Sequence, residues 1–236
     1  MLNLGRNDKM KKTEKLFAER GQDVRIHTFN LPAVDACPGA GKCKEFCYAT
    51  QGRYIFANVA KPREDNFKAL KEIIRSGKPD SDVVSEISQL LRVSIEQTFK
   101  KRLKKRNVRN IIRIHDSGDF FHRNYFLAWC KVLTDMKQEG LEIEAYAYTK
   151  SLRIIRALLE TKPENMHVIF SVGGLWDNEI EESLPHSRVF INEEELIKAG
   201  YVDGSFSDVP AIQKETKIGL IYHGTKSVKS VQKFIV

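Results

Sequence analysis

Three cysteines close together are the residues whose types and spacing most directly suggest chemistry. Cys37, Cys43 and Cys47 lie within eleven residues, with the spacing C-x5-C-x3-C. Thiolates are soft ligands that favour zinc, Cu(I) or the iron of iron–sulfur clusters. Glycines and a proline inside the segment allow the backbone to turn tightly enough to direct three sulfurs at one point. The segment 37–47 is therefore predicted to be a metal-binding loop.

The number of thiols narrows the choice of metal. A structural zinc site is closed by four ligands, usually two pairs of cysteines, and the sequence has no second pair. A four-iron, four-sulfur (4Fe–4S) cluster on three cysteines keeps one iron open for catalysis. Two alternatives stay open: a zinc site completed by His27, His115 or another histidine, and three thiols without a metal. Cys130, in an apolar helical pattern, is predicted to be a core residue.

Length and composition are those of an ordinary globular protein. The chain has 236 residues, of which 42% are hydrophobic and 30% charged, with a formal net charge of +8. This composition excludes intrinsic disorder and collagen-like repeats. No apolar run approaches the roughly 18 residues of a membrane span, and the charged N-terminus lacks the apolar segment of a signal peptide. We therefore expect a cytoplasmic protein that does not bind membranes.

Short β-branched runs alternate with longer helical patterns along the sequence. This alternation predicts an α/β fold with a mainly parallel sheet, in one domain covering residues 1–236. Strands are predicted at 24–30, 110–115, 143–148, 167–172, 188–191 and 218–222. Helices are predicted at 63–76, 81–106, 121–138, from 151, at 193–199 and as a short tail after the last strand. This order fits both an open doubly wound sheet and a partial barrel, and in both folds ligands gather at the carboxyl ends of the strands.

Polar residues follow several of the predicted strands. Asp119, in the turn after the second strand, is interpreted either as a ligand-binding acid or as the cap of the next helix. Lys150, after the third strand, is suited to a carboxylate or a phosphate, whereas its neighbour Thr149 is equally suited to capping a helix. Further candidates near the same edge of the sheet are His115, Asp116, Ser117, Gly118, Ser171, His223, Arg53 and Tyr54.

The positive charge is concentrated in one segment. Residues 99–109 contain seven basic residues and no acid, so the rest of the chain carries a net charge of +1. The seven, called here the basic strip, are Lys100, Lys101, Arg102, Lys104, Lys105, Arg106 and Arg109. Such a strip attracts polyanions, which predicts nucleic-acid binding through phosphate contacts; the alternative is a solvated helix end. The sequence contains no zinc-finger spacing and no aromatic RNA-binding motif, so sequence-specific recognition is not expected.

The stretches NLPA…CPGAGKC…CYA, RIHDSGDFF…YFLAWC and YAYTKS resemble the phage gene-product-eighty-eight family. The resemblance extends from about residue 3 to about residue 224. It implies a phage protein that acts in the cytoplasm of the host cell.

The cysteine loop is also similar to that of radical S-adenosylmethionine (SAM) enzymes. In that superfamily the loop follows the first strand, usually with the spacing C-x3-C-x2-C, and an aromatic residue precedes the third cysteine, as Phe46 does here. A Gly-Gly-Glu motif after the second strand holds the amino group of SAM, and the corresponding place here is occupied by Ser117, Gly118 and Asp119. The predicted cofactor-binding residues are therefore Phe46, Ser117, Gly118, Asp119, Thr149, Lys150 and Ser171.

The resemblance implies a partial (βα)6 barrel that holds a 4Fe–4S cluster on Cys37, Cys43 and Cys47, with SAM bound to the open iron. Reductive cleavage of SAM then starts radical chemistry on an unknown substrate, for which a nucleotide or nucleic acid is the expectation. The implied electron donor is a host flavodoxin or ferredoxin. The alternative function is a zinc-stabilised phage protein that binds nucleic acid without catalysis.

Overall fold

The computed structural model describes residues 1–223, which contain one eight-stranded sheet. Its strands are β1 Leu4–Gly5, β2 Asp23–Phe29, β3 Val108–Ile114, β4 Glu144–Thr149, β5 Met166–Ser171, β6 His186–Phe190, β7 Val202–Asp203 and β8 Lys217–Ile221. The helices are α1 Asp8–Ala18, α2 Ala57–Ile74, α3 Asp80–Phe99, α4 Arg123–Gln138, α5 Leu152–Ile155, α6 Glu193–Lys198 and α7 Val209–Ile212. The predicted helical tail lies outside the described residues.

The strand order is β1-β2-β3-β4-β5-β6-β8-β7. Only β1 is antiparallel to its neighbour, and every other pair is parallel. The predicted α/β fold with a mainly parallel sheet is therefore confirmed, and all six predicted strands lie within two residues of their expected bounds. From β2 to β6 the strands follow one another in chain order, so this part of the sheet lacks the reversal that defines a doubly wound sheet.

Each face of the sheet carries its own core, because successive side chains of a strand point to opposite faces. Phe29 and Ile114 belong to the larger core, which includes residues of α2, α3, α4 and α5. Ile26 and Ile111 belong to the smaller core, which includes residues of α1 and α7. No helix in residues 1–223 is both long and apolar enough to cross a membrane.

The helix predicted at 81–106 is wrong at its C-terminal end. α3 ends at Phe99, because Lys100 adopts a left-handed φ of 50° and the chain continues as a 3-10 turn over Lys100–Lys104. Leu103 is nevertheless buried, so the four-residue apolar repeat continues beyond the helix and extends the prediction too far. The sequence patterns also do not predict α1, in which the few buried residues are surrounded by charged ones.

Candidate functional site

A cavity of about 220 Å³ opens at the carboxyl ends of the central strands. The cysteine loop lies along one side of it, and residues that follow β3, β4 and β5 form the other side. Nine of the ten predicted metal and cofactor residues line this cavity: Cys37, Cys43, Phe46, Cys47, Ser117, Gly118, Asp119, Lys150 and Ser171. Thr149 is the exception. The structure therefore brings together residues that are separated by up to 134 positions in the sequence.

Two glycines allow the cysteine loop to dock against the strand ends. A Cβ atom on Gly39 would lie 2.0 Å from the carbonyl oxygen of Lys150, and one on Gly41 would lie 2.7 Å from that of Gly174. The loop is also held by backbone hydrogen bonds from Leu175 N to Gly39 O (2.9 Å) and from Cys43 N to the residue 173 carbonyl (3.2 Å). The two glycines thus allow the loop backbone to pack closely against neighbouring segments, whereas the sequence suggests that they allow a tight turn.

The three loop thiols are partly buried in the cavity and are not joined by a disulfide. Burial, together with the nearby Asp119 carboxylate, raises the pKa of Cys37 to about 12. Burial also raises the pKa of Cys43, although the Lys150 ammonium opposes this. Both thiols are therefore protonated at neutral pH unless a cation stabilises the thiolate. Among residues 1–223, no three histidine, cysteine or carboxylate side chains form a ready-made metal-ligand group.

Asp119 links the turn after β3 to the end of β4. Its Oδ1 accepts hydrogen bonds from Thr149 Oγ1 (2.6 Å) and Phe120 N (2.7 Å), and its Oδ2 accepts one from Lys150 N (2.7 Å). Burial raises the pKa of Asp119, while these hydrogen bonds oppose the rise. Thr149 lies behind the cavity wall because its hydroxyl is directed at this carboxylate. A carboxylate offers about four acceptor positions, so Asp119 has about one left for a ligand.

The alternative role of Asp119 as a helix cap is wrong. α4 begins at Arg123, and its cap is His122, whose Nδ1 accepts a hydrogen bond from Asn124 N (3.1 Å). Two further residues separate Asp119 from this cap, so its carboxylate is free to turn towards β4. The sequence gives no sign of this, because Thr149 and Lys150 lie thirty residues further along the chain.

Ser117 and Gly118 make structural contacts with Leu31 at this edge of the sheet. The Ser117 hydroxyl donates to Leu31 O (2.7 Å), and Leu31 N donates to Ser117 O (3.0 Å). Gly118 has a left-handed φ of 83°, and a Cβ there would lie 2.5 Å from the Leu31 Cβ. These contacts hold the turn after β3 against the segment that leads into the cysteine loop.

Lys150 is one of three basic residues in the described part of the chain that line the cavity, together with Lys42 and Arg113. Its ammonium donates to Ser171 Oγ, which joins the ends of β4 and β5. The same ammonium opposes the rise that burial causes in the pKa of Cys43, because its positive charge favours the thiolate. Lys150 and Ser171 are thus adjacent, as expected of residues at neighbouring strand ends.

The two histidines named for a zinc site differ in position. His115 lines the cavity, with a strained φ of 71° and its Nε2 within 2.9 Å of Tyr125 Oη. His27 does not line it; its ring packs edge-on against Phe99 at 5.0 Å on the other side of the sheet. Burial lowers the pKa of His115 to about 3, so its ring is neutral. His223 is exposed, with its ring 6.4 Å from that of Tyr48.

Asp116 connects the residues after the cysteine loop to the sheet. Tyr54 Oη donates to Asp116 Oδ2 (2.8 Å), and Tyr48 Oη donates to the Asp116 carbonyl. Asn30 accepts the Asp116 backbone N–H through Oδ1 (2.7 Å). Neither Arg53 nor Tyr54 lines the cavity: Tyr54 reaches it through its hydrogen bond to Asp116, and Arg53 is exposed.

Arg113 lines the cavity and forms a buried ion pair with Asp208 that the sequence patterns do not predict. Arg113 Nη1 lies 2.8 Å from Asp208 Oδ2, and Tyr146 Oη donates to the same oxygen (2.7 Å). Lys9 of α1 lies 3.0 Å from the other oxygen. A charged residue inside the apolar run NIIRIH was an available signal for Arg113, but its partner is 95 residues away.

The basic strip does not line the cavity, and two of its arginines form ion pairs with acidic residues that are distant in the sequence. Arg102 forms a two-pronged pair with Asp23 (2.9 and 3.1 Å), and Arg109 forms one with Glu144 (2.7 and 2.8 Å). Arg102 thus joins the turn before β3 to the start of β2, and Arg109 joins β3 to β4. They are the members of the strip least suited to bind an external polyanion.

The fold and the cavity define a mixed α/β protein with three cysteines at the carboxyl edge of a parallel sheet. The sequence profile described as Gene product 88 matches residues 1–233, and the chain belongs to this family. It is 25% identical over 177 residues to the Gene 88 protein of Mycobacterium phage D29, covering 72% of this chain and 68% of that protein. It is 24% identical over 213 residues to the Gene 88 protein of Mycobacterium phage L5, covering 88% and 80%. No solved structure is significantly similar to the chain. The predicted membership in a phage family is confirmed.

Proposed function

We propose that this protein is an iron–sulfur enzyme of the radical SAM type. The observation that carries the proposal is that all three cysteines of one loop line a single cavity at the carboxyl ends of parallel strands. Soft thiol donors suit iron–sulfur iron, and three of them leave one iron of a 4Fe–4S cluster open. Cys37, Cys43 and Cys47 would hold the cluster.

The order of the strands supports a partial barrel as the finer description of the fold. Strands β2 to β6 are parallel and adjacent in chain order, as in a barrel wall. The inner face then corresponds to the smaller core, which includes residues of α1 and α7. Active sites of such folds lie where the cavity lies here, at the carboxyl ends of the strands.

The residues around the cysteines suit an amino-acid ligand such as the methionine part of SAM. Asp119 has an acceptor position left for an amino group, and the Lys150 ammonium is placed for a carboxylate. A cluster held by these cysteines would supply the one-electron chemistry that starts a radical reaction from SAM. The protein's contribution is to position the ligand and to shield it from solvent within the cavity.

The test is metal analysis of the full chain after anaerobic purification. We expect the protein to contain iron and sulfide and to absorb at about 400 nm, as iron–sulfur clusters do. Cys37→Ala, Cys43→Ala and Cys47→Ala should each lose iron. Cys130→Ala is the matched control: this cysteine is buried in α4 and lies outside the cavity, so its variant should retain iron.

Metal content also separates this proposal from its zinc alternative. One zinc per chain, with no iron or sulfide, would overturn the iron–sulfur proposal. If iron is present, SAM should change the electron paramagnetic resonance spectrum of the reduced cluster, because it binds the open iron. An unchanged spectrum would contradict SAM binding while leaving the cluster in place.

A further inference from the structure

Five cations of the basic strip remain after the two paired arginines are set aside. They are Lys100, Lys101, Lys104, Lys105 and Arg106, all of them exposed. None of the five forms an ion pair with any residue in the described part of the chain. A solvated protein surface usually mixes both signs of charge, and five uncompensated cations within seven residues therefore create a local positive field.

The backbone holds these cations on a fixed loop. Left-handed residues bound it at each end, Lys100 with a φ of 50° and Asn107 with a φ of 60°. Between them, Leu103 is 3% exposed and its carbonyl accepts a hydrogen bond from Glu142 N (3.0 Å). Because Leu103 anchors the loop in the core, the charged side chains on either side of it are presented to solvent. A loop that is already ordered loses little conformational freedom on binding.

We propose that Lys100, Lys101, Lys104, Lys105 and Arg106 form a surface that binds the phosphate backbone of double-stranded DNA. Lysines bind phosphates as point charges and do not read bases, which matches a strip with a single arginine among its unpaired members. Single-stranded nucleic acid is usually bound by stacking its bases on aromatic side chains. Phe99 is the only aromatic residue in the segment 99–109 and it is buried, so the strip itself presents no aromatic ring for stacking.

The DNA surface is separate from the cysteine cavity. The five unpaired cations precede β3 and the cavity residues 115–119 follow it, so the two sets lie at opposite ends of the same strand. Seven residues at about 3.3 Å each place them about 23 Å apart. DNA bound to the strip is therefore a tether for the protein, not a substrate delivered into the cavity. This inference does not depend on the proposed iron–sulfur function.

Binding of a short labelled DNA duplex to the full chain, followed by fluorescence anisotropy between about 50 and 200 mM salt, tests the proposal. Five phosphate contacts predict a slope of log K against log salt of about −4.5. The quadruple variant Lys101→Gln, Lys104→Gln, Lys105→Gln, Arg106→Gln should reduce this slope by about 3 to 4 and weaken binding at least tenfold at low salt. All four side chains are exposed, so circular dichroism should show an unchanged fold.

A matched control removes the same charge elsewhere. Lys68, Arg75, Arg123 and Lys198 are exposed and likewise unpaired among the described residues, and changing all four to Gln also lowers the net charge from +8 to +4. The control should bind DNA nearly as the unmodified protein does. Cys43→Ala should also bind it normally, which separates failure here from failure of the iron–sulfur proposal.

Three results would overturn the inference. The first is a folded strip variant with unchanged affinity and salt slope. The second is an equal loss in the control variant, which would mean that only the net charge matters. The third is tighter binding of single-stranded DNA or duplex RNA than of duplex DNA.

Discussion

The buried carboxylate of Asp208 is the group whose removal should most strongly test how α1 is held against the sheet. It contacts Lys9 on α1 at 3.0 Å, Arg113 on β3 at 2.8 Å and Tyr146 on β4 at 2.7 Å. Its backbone N–H also donates to Thr13 of α1 (2.9 Å). Asp208→Asn keeps the shape of the side chain and removes its charge.

The expected loss of stability at neutral pH is large. The substitution leaves Arg113 buried with only the more distant Asp116 oxygen, at 3.5 Å, as an anionic partner. Breaking a buried ion pair by removing one charge costs about 3 to 5 kcal/mol, because the remaining charge is left uncompensated. We expect Asp208→Asn to lower the free energy of unfolding by an amount in this range.

The pH dependence of stability gives a second measure of what the Asp208 charge contributes to the free energy of unfolding. Burial alone would raise the pKa of Asp208, but Arg113 and Lys9 lower it to about 2 from the ordinary 3.8. Because the folded-state pKa is the lower one, the stabilisation is fully present above pH 3.8 and is lost as the pH falls towards 2. The difference corresponds to roughly 2 to 3 kcal/mol at pH 7, of which about 1 kcal/mol is lost by about pH 3.

Urea unfolding of the unmodified protein and of Asp208→Asn, at pH 7 and at about pH 3, measures both quantities. Other paired carboxylates titrate in both proteins, so the difference between the two proteins isolates Asp208. The difference should shrink by about 1 kcal/mol at the lower pH. A difference below about 1 kcal/mol at pH 7, or one that is the same at both pH values, would refute the assignment of this ion pair as a structural link.

Three further substitutions probe the cavity. Gly39→Ala should abolish metal loading, because its Cβ would overlap the backbone carbonyl of Lys150. Gly5→Ala is the control and should load metal normally, because the atom nearest to its Cβ would be Thr28 Oγ1 at 3.5 Å. Equal metal content in the two variants would contradict the docked position of the cysteine loop. Tyr148→Phe should change the free energy of unfolding by less than about 0.5 kcal/mol, since its hydroxyl has no hydrogen-bond partner in the described part of the chain. Tyr146→Phe, which removes a hydrogen bond to Asp208, should cost about 1 to 3 kcal/mol in the same urea titration. Asp119→Asn should lower the melting temperature and weaken SAM binding measured by calorimetry, because an amide cannot accept all three hydrogen bonds; unchanged values for both would show that the carboxylate is dispensable.

Local patterns predicted the parallel sheet because its strands are buried on both faces and appear as apolar, β-branched runs. The same patterns failed where a residue is buried but the backbone is no longer helical. Leu103 continues the apolar repeat of α3, but the backbone has already left the helix at Lys100. α1 escaped prediction because it buries only Met10, Thr13 and Phe17. A pattern reports which side chains are buried, and reports backbone conformation only indirectly.

The cavity was predicted more fully than its internal bonding. Strand ends of a parallel sheet meet at one edge, so residues such as Asp119, Lys150 and Ser171 were expected together, and they are. The direction of each side chain was not predictable, since Thr149 turns behind the wall and Asp119 bonds to β4 instead of capping α4. These choices depend on contacts between segments thirty or more residues apart.

The sequence alone determined the three-thiol loop, the family, the parallel α/β class and the concentration of positive charge, because each is a property of neighbouring residues or of a repeating pattern. Only the tertiary structure decided which charges are available. Folding pairs Arg102 with Asp23, Arg109 with Glu144 and Arg113 with Asp208. It leaves the other five cations of the basic strip without an ion-pair partner among residues 1–223. The tertiary structure also decided that these five cations and the cysteines lie at opposite ends of β3. Electrostatic interaction depends on distance in space, which the order of residues along the chain does not specify.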